Sequence, residues 1–170
     1  MFVAYALFPF SRQLAQSPDG YLHGRYACDF HATGANETLG TAQADATRPR
    51  RLKWYDLIVG SEASPADNAF LYVMQRFTAA GTNTAVVPSP LDPADAATEA
   101  DAGENNTAEP TYTATLILLE IPLNQRATFR WVCSPGSELV SPATASNGIG
   151  IATPTFSAVA ITAHLLFEEQ

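Results

Sequence analysis

The twelve residues 157–168, Ser-Ala-Val-Ala-Ile-Thr-Ala-His-Leu-Leu-Phe-Glu, decide the fold class. Val159, Ile161, Ala163, Leu165 and Phe167 fall on one side of an extended chain, and Ala158, Ala160, Thr162, His164 and Glu168 on the other. A period of two with one apolar side is the pattern of a strand with one face buried. The same reading holds for residues 25–31, where Tyr26, Cys28 and Phe30 alternate with Arg25, Ala27, Asp29 and His31. It holds again for residues 126–133, where Ala127, Phe129, Trp131 and Cys133 form one face and Arg126, Thr128 and Arg130 the other.

Three further runs, 52–59, 70–77 and 113–121, are apolar on both faces and rich in β-branched and aromatic residues, so they read as central strands covered on both sides. A helix over 70–77 is disfavoured by its shortness and by the flanking Pro65 and Gly81. Turn residues punctuate the runs at 64–68, 80–81, 124–125, 134–136 and 147–148. Short strands at this spacing, without βαβ alternation, predict an all-β antiparallel sandwich of jelly-roll type over residues 25–170.

Residues 88–110 stand apart, with six carboxylates and no basic residue. They read as one long acidic loop, in which 92–100 can start a short helix with Asp92 as N-cap and Pro93 at the first helical position. A solvated loop is the plain reading, and a contact arm using Asp92 and Asp95 the sharper one. The carboxylate spacing lacks the central glycine of a calcium loop, so no metal is expected there.

Composition narrows the function classes. The chain has 170 residues, a net charge of −8 and a single lysine, Lys53, which excludes a nucleic-acid binder relying on many phosphate contacts. At 46% hydrophobic and 15% charged it is expected to fold around a core of its own. Cys28 and Cys133 are too few for a disulfide scaffold and read as separate buried thiols, with a bridge the lesser alternative. The opening Met-Phe-Val-Ala-Tyr-Ala-Leu-Phe-Pro-Phe has no basic start, is interrupted by Pro9 and is too short to span a bilayer. It reads as part of an N-terminal arm, 1–24, whose Phe2, Tyr5, Phe8 and Phe10 are suited to burial on a neighbouring subunit.

Catalytic signatures are missing. There is no GxSxG elbow, P-loop, HExxH or CxxC pair. A facial metal site can be drawn from Asp29, His31 and His164 only if their strands pair, and three scattered histidines are weak grounds for it. The sequons at 36–38 and 105–107 carry little weight without a secretory signal. Arg126 and Arg130 share a strand face and are candidates for pairing with acids across a sheet or subunit boundary.

From about residue 48 onward the chain resembles a family of small structural proteins encoded in the head-gene neighbourhoods of tailed bacteriophages and prophages. The residues carrying the resemblance are Trp-Tyr-Asp-Leu-Ile-Val-Gly-Ser at 54–61, Pro-Ala-Asp-Asn at 65–68 and Glu-Pro-Thr-Tyr-Thr at 109–113. They continue with Asn-Gln-Arg-Ala-Thr-Phe-Arg-Trp at 124–131, Asn-Gly-Ile-Gly at 147–150 and Phe-Glu-Glu at 167–169. The first 24 residues depart from the family pattern. The resemblance implies a non-enzymatic virion component, a capsid decoration or cement protein on the outer surface of the head shell, assembled in the host cytoplasm. Its implied partner is the major capsid protein, and a homo-oligomer, trimeric by preference, suits that role. No catalytic residue, cofactor, membrane or direct nucleic-acid contact is implied. The expected contact residues are Phe2, Tyr5, Phe8, Phe10, Asp92, Asp95, Arg126 and Arg130. The alternatives are a tail or head-fibre component binding a host surface or carbohydrate and, weakest, a cupin-like enzyme module, which needs clustered His and Glu ligands.

Overall fold

A computed structural model describes residues 24–32, 37–63, 65–154 and 159–170. It contains twelve strands: β1 Gly24–Ala32, β2 Thr38–Gln43, β3 Leu52–Ala63, β4 Ala69–Phe77, β5 Thr82–Val86, β6 Ser89–Pro90, β7 Asp101–Ala108, β8 Tyr112–Asn124, β9 Phe129–Val132, β10 Leu139–Ser141, β11 Gly148–Ala152 and β12 Ala160–Glu169. All pairings are antiparallel. One sheet runs β10-β3-β12-β1-β6, with β9 also on β3, and the other runs β5-β7-β2-β11-β4-β8. Packed together, they are the β-sandwich that the alternation predicts, and the described residues contain no helix.

The strand formed by 160–169 is the centre of the first sheet because its apolar side matches both neighbours. Leu165 lies opposite Cys28 and Leu57, and Ala163 opposite Phe30 and Val59. Phe167 lies opposite Tyr26 and Trp54, with the Tyr26 and Phe167 rings stacked at 5.5 Å. Every second residue of β12 is buried. β1 follows the expected alternation, with Tyr26, Cys28 and Phe30 inside and Arg25, Asp29 and His31 exposed.

In β3 the expected two-sided burial is corrected. The pairing with β12 shifts between Leu166 and Phe167, where Tyr55 has no opposite number. This β-bulge carries Trp54 and Leu57, an odd number of positions apart, onto the same inner face, and both are fully buried. The run looks apolar on both faces because its phase changes within it. The expectation holds for β4, between β11 and β8. Phe70, Tyr72 and Met74 belong to the core, while Val73 and Phe77 are also buried, Phe77 beside the Tyr112 ring at 6.3 Å. For 113–121 the expectation fails. β8 is the last strand of its sheet, with Leu116 and Ile117 exposed.

The acidic segment is likewise corrected. Residues 88–110 are not one loop, because they contain β6 and β7, and β7 is an inner strand between β5 and β2. Asp-Ala-Gly-Glu-Asn-Asn-Thr-Ala has little strand propensity, and its partners impose the conformation. Ala102 and Gly103 are buried, and the Asn83 side chain occupies the space that a Cβ on Gly103 would need. The helix drawn over 92–100 does not form. Asp92 instead caps a tight turn, its Oδ1 accepting the Ala94 N–H at 2.9 Å and its carbonyl the Asp95 N–H at 2.9 Å. The segment is fastened to the first sheet by Tyr26, whose hydroxyl donates to the Ala96 carbonyl at 3.0 Å. The buried Glu169 carboxylate also holds it, accepting from Thr98 Oγ1 at 2.8 Å and the Glu99 N–H at 3.2 Å.

The core fills the gap between the sheets with Trp54, Tyr72, Phe30, Phe167, Leu57, Met74, Ile149 and Ile151, all essentially inaccessible. Phe30 of the first sheet points at Gly40 of the second, where a Cβ would stand only 2.4 Å from the ring.

Candidate functional site

β3 bonds to β12 along one side and to β9 and β10 along the other. The first sheet therefore ends on one flank in two short strands. The second sheet ends on the same flank in β8, because Arg76 of the adjacent β4 donates from Nε and Nη2 to the Val140 carbonyl of β10, at 3.1 and 2.9 Å. Four of the six exposed large apolar side chains among the described residues lie on these end strands: Leu116, Ile117, Phe129 and Val132. The other two, Val87 and Leu91, flank β6 at the far margin of the first sheet.

Strand ends normally carry charge or proline that discourages added pairing. Residues 114–119 of β8, Ala-Thr-Leu-Ile-Leu-Leu, carry neither. This flank holds most of the exposed large apolar side chains among the described residues.

The sequence-derived contact residues scatter. Phe2, Tyr5, Phe8 and Phe10 lie outside the described residues, as does nearly all of the arm. Asp92 and Asp95 sit in the turn after β6, away from the flank. Arg126 and Arg130 do not share a strand face, which corrects the reading of 126–133 as one strand. Arg126 belongs to the turn after β8, its N–H on Asn124 Oδ1 at 2.9 Å, and β9 spans only four residues. Trp131 is half-buried and packs against the core, whereas Phe129 is exposed.

Arg130 does make an acidic pairing, within the subunit. Its Nε reaches Asp56 Oδ1 and Oδ2 at 3.0 and 3.2 Å, and Nη2 bonds Oδ2 as well. The Asp56 carboxylate is buried, so this bidentate contact compensates its desolvation, and the bond to Asp56 raises the Arg130 pKa. Sequence reading named the arginine and missed the aspartate. An acid inside the apolar run 52–59 was the available signal.

The strands of Asp29 and His164 do pair, opposite one another, and His164 Nδ1 lies 2.6 Å from Asp29 Oδ1. His31 turns to a different acid, with Nδ1 2.5 Å from Glu62 Oε1, and that bond raises its pKa. His31 and His164 thus each have a carboxylate of their own. Among the described residues no three His, Cys, Asp or Glu side chains gather closely enough to hold a metal ion. Both thiols are free. Burial pushes Cys28 up to about 12, and Cys133, expected inside, is half-buried beyond β9.

No helix among the described residues is long and apolar enough to cross a membrane. Comparison of the chain with protein-family models, with curated proteins and with solved structures returns no match.

Proposed function

We propose that the chain is a non-enzymatic phage virion structural protein, a capsid decoration protein that binds and stabilises the assembled head shell. The observation carrying this reading is the flank where both sheets end together, with Leu116, Ile117, Phe129 and Val132 exposed on the end strands. Such a surface suits docking to a large, fixed partner such as the major capsid protein. The resemblance of residues 54–61 and 124–131 to phage head-neighbourhood proteins supports the same reading. A jelly-roll-like winding, a homotrimer and a contribution from the N-terminal arm belong to the proposal.

The test is co-sedimentation of the full chain with shells made of major capsid protein alone, beside Leu116→Lys and Val132→Glu variants. The expected result is that the parent pellets with shells at micromolar concentration while both variants, folded by circular dichroism, stay in the supernatant. A parent that stays in the supernatant overturns the proposal and moves a fibre role ahead.

A further inference from the structure

β8 does not follow β4 evenly. Tyr112 lies opposite Phe77 and Ile117 opposite Gln75, so residues 113–116 of β8 stand against Arg76 alone. The Gln75 side chain secures this swelling by donating Nε2–H to the Thr113 carbonyl at 2.9 Å. Between the swollen strand and the end of β10 lies a cleft of about 300 Å³, the lower end of the range for small-molecule sites. Leu116, Val140 and Pro142 give it apolar lining, Thr113 a hydroxyl, and Arg51 and Arg76 two guanidinium groups.

Arg51, at the edge of this cleft, pairs through its backbone with Gln170, whose O accepts the Arg51 N–H at 3.1 Å. Three other arginines face carboxylates: Arg48 faces Glu99, Arg50 faces Glu169 and Arg130 faces Asp56. Among the described residues no Asp or Glu lines the cleft. Arg76 spends Nε and Nη2 on the Val140 carbonyl, which fixes its plane and leaves Nη1 to donate. The exposed Arg51 side chain has no hydrogen-bond or ion-pair partner among the described residues.

We propose that this cleft binds a carboxylate carried on a small apolar body, supplied either as a free organic acid or as the C-terminal end of a peptide. Two guanidinium groups suit the planar, forked acceptor of a carboxylate. The aliphatic lining takes the body of the ligand out of water, which inorganic phosphate cannot use. The cleft shares Leu116 with the proposed docking flank, so its test rests on Arg51 and Arg76, which that flank does not include.

The experiment is a 1H–15N NMR titration of the full chain with 3-phenylpropionate, N-acetylphenylalanine, the uncharged N-acetylphenylalaninamide and inorganic phosphate. Both carboxylates are expected to shift the amides of Thr78, Thr113 and Gly148, with the amide compound and phosphate binding at least about tenfold more weakly. Arg51→Gln, at an exposed position that does not endanger the fold, is expected to weaken both carboxylates by about tenfold, and Arg76→Lys to do the same. Preference for N-acetylphenylalanine supports the peptide source, and preference for 3-phenylpropionate the free acid. The proposal is overturned if the carboxylates leave those amides unmoved, if the amide compound binds as tightly as its acid, or if Arg51→Gln changes nothing.

Discussion

Substituting Gly40 by alanine tests how firmly the two sheets are held apart. The new Cβ would lie 2.4 Å from Phe30 Cγ and 2.6 and 2.8 Å from the two Cδ atoms. Comfortable carbon contacts begin near ~3.5 Å, so the methyl group and ring must separate by about 1 Å. Phe30 is wholly buried, and moving its ring disturbs the facing core. Overpacking of this kind costs roughly 1–3 kcal/mol, which in a domain of this length lowers Tm by roughly 2–12 °C. The assay is thermal and urea unfolding of Gly40→Ala, Phe30→Leu and the double variant. Because the clash is with the ring, alanine should cost less than half as much in the Phe30→Leu background as in the parent, a coupling that a double-mutant cycle reads directly. If Gly40→Ala leaves Tm unchanged, or if its cost is the same in both backgrounds, the close approach of Phe30 to Gly40 does not set the sheet spacing.

Arg130→Ala should lower Tm because it leaves the Asp56 carboxylate buried without its cation, while Arg126→Ala, in an exposed turn, should stay within ~0.5 kcal/mol of the parent; the pair is compared by calorimetry. His31 should titrate above its ordinary value of ~6.5, and Glu62→Gln should bring it back down, as read from ring-proton NMR shifts against pH. By linkage the stability from this pair is fully present below the unfolded pKa and is lost as pH rises through the higher folded one, so the parent's advantage over Glu62→Gln should shrink as pH rises from ~6.5 through the folded value. In hydrogen exchange, amides of β7 that pair with β2 should exchange with the slow core strands, and those of the turn at 92–96 quickly; fast exchange throughout 88–110 would contradict an inner strand there.

The fold was legible wherever one face of a strand is buried and the other wet, as in β1 and β12. Two-sided apolarity was ambiguous for physical reasons. In β4 it marks a strand buried on both faces, in β3 a bulge that shifts the phase at Tyr55, and in β8 an end strand with apolar side chains left exposed. β7 was unreadable because its composition is that of a loop and its strand character comes from β2 and β5. The flank was hidden for a related reason. Its residues come from strands distant in sequence, and only the shared pairing of β9 and β10 to β3 and the Arg76–Val140 bridge bring them to the same flank as β8. Arg130 was legible as a pairing residue, but a partner 74 positions away on a neighbouring strand was not.

The placement of the exposed apolar residues bears on how copies of the chain can close upon each other. A flank that meets the same flank of another copy is satisfied after two subunits, since a twofold axis leaves nothing open. A threefold ring requires each flank to meet a different strip on the next copy. Among the described residues the one other place with exposed large apolar side chains is the margin at Val87 and Leu91. Head-to-tail contact between that margin and the β8–β9 flank is the arrangement a ring would use, and it would compete with docking that flank on a shell. Charges placed at Val87 and Leu91 would therefore dissolve a ring and leave a twofold pair intact.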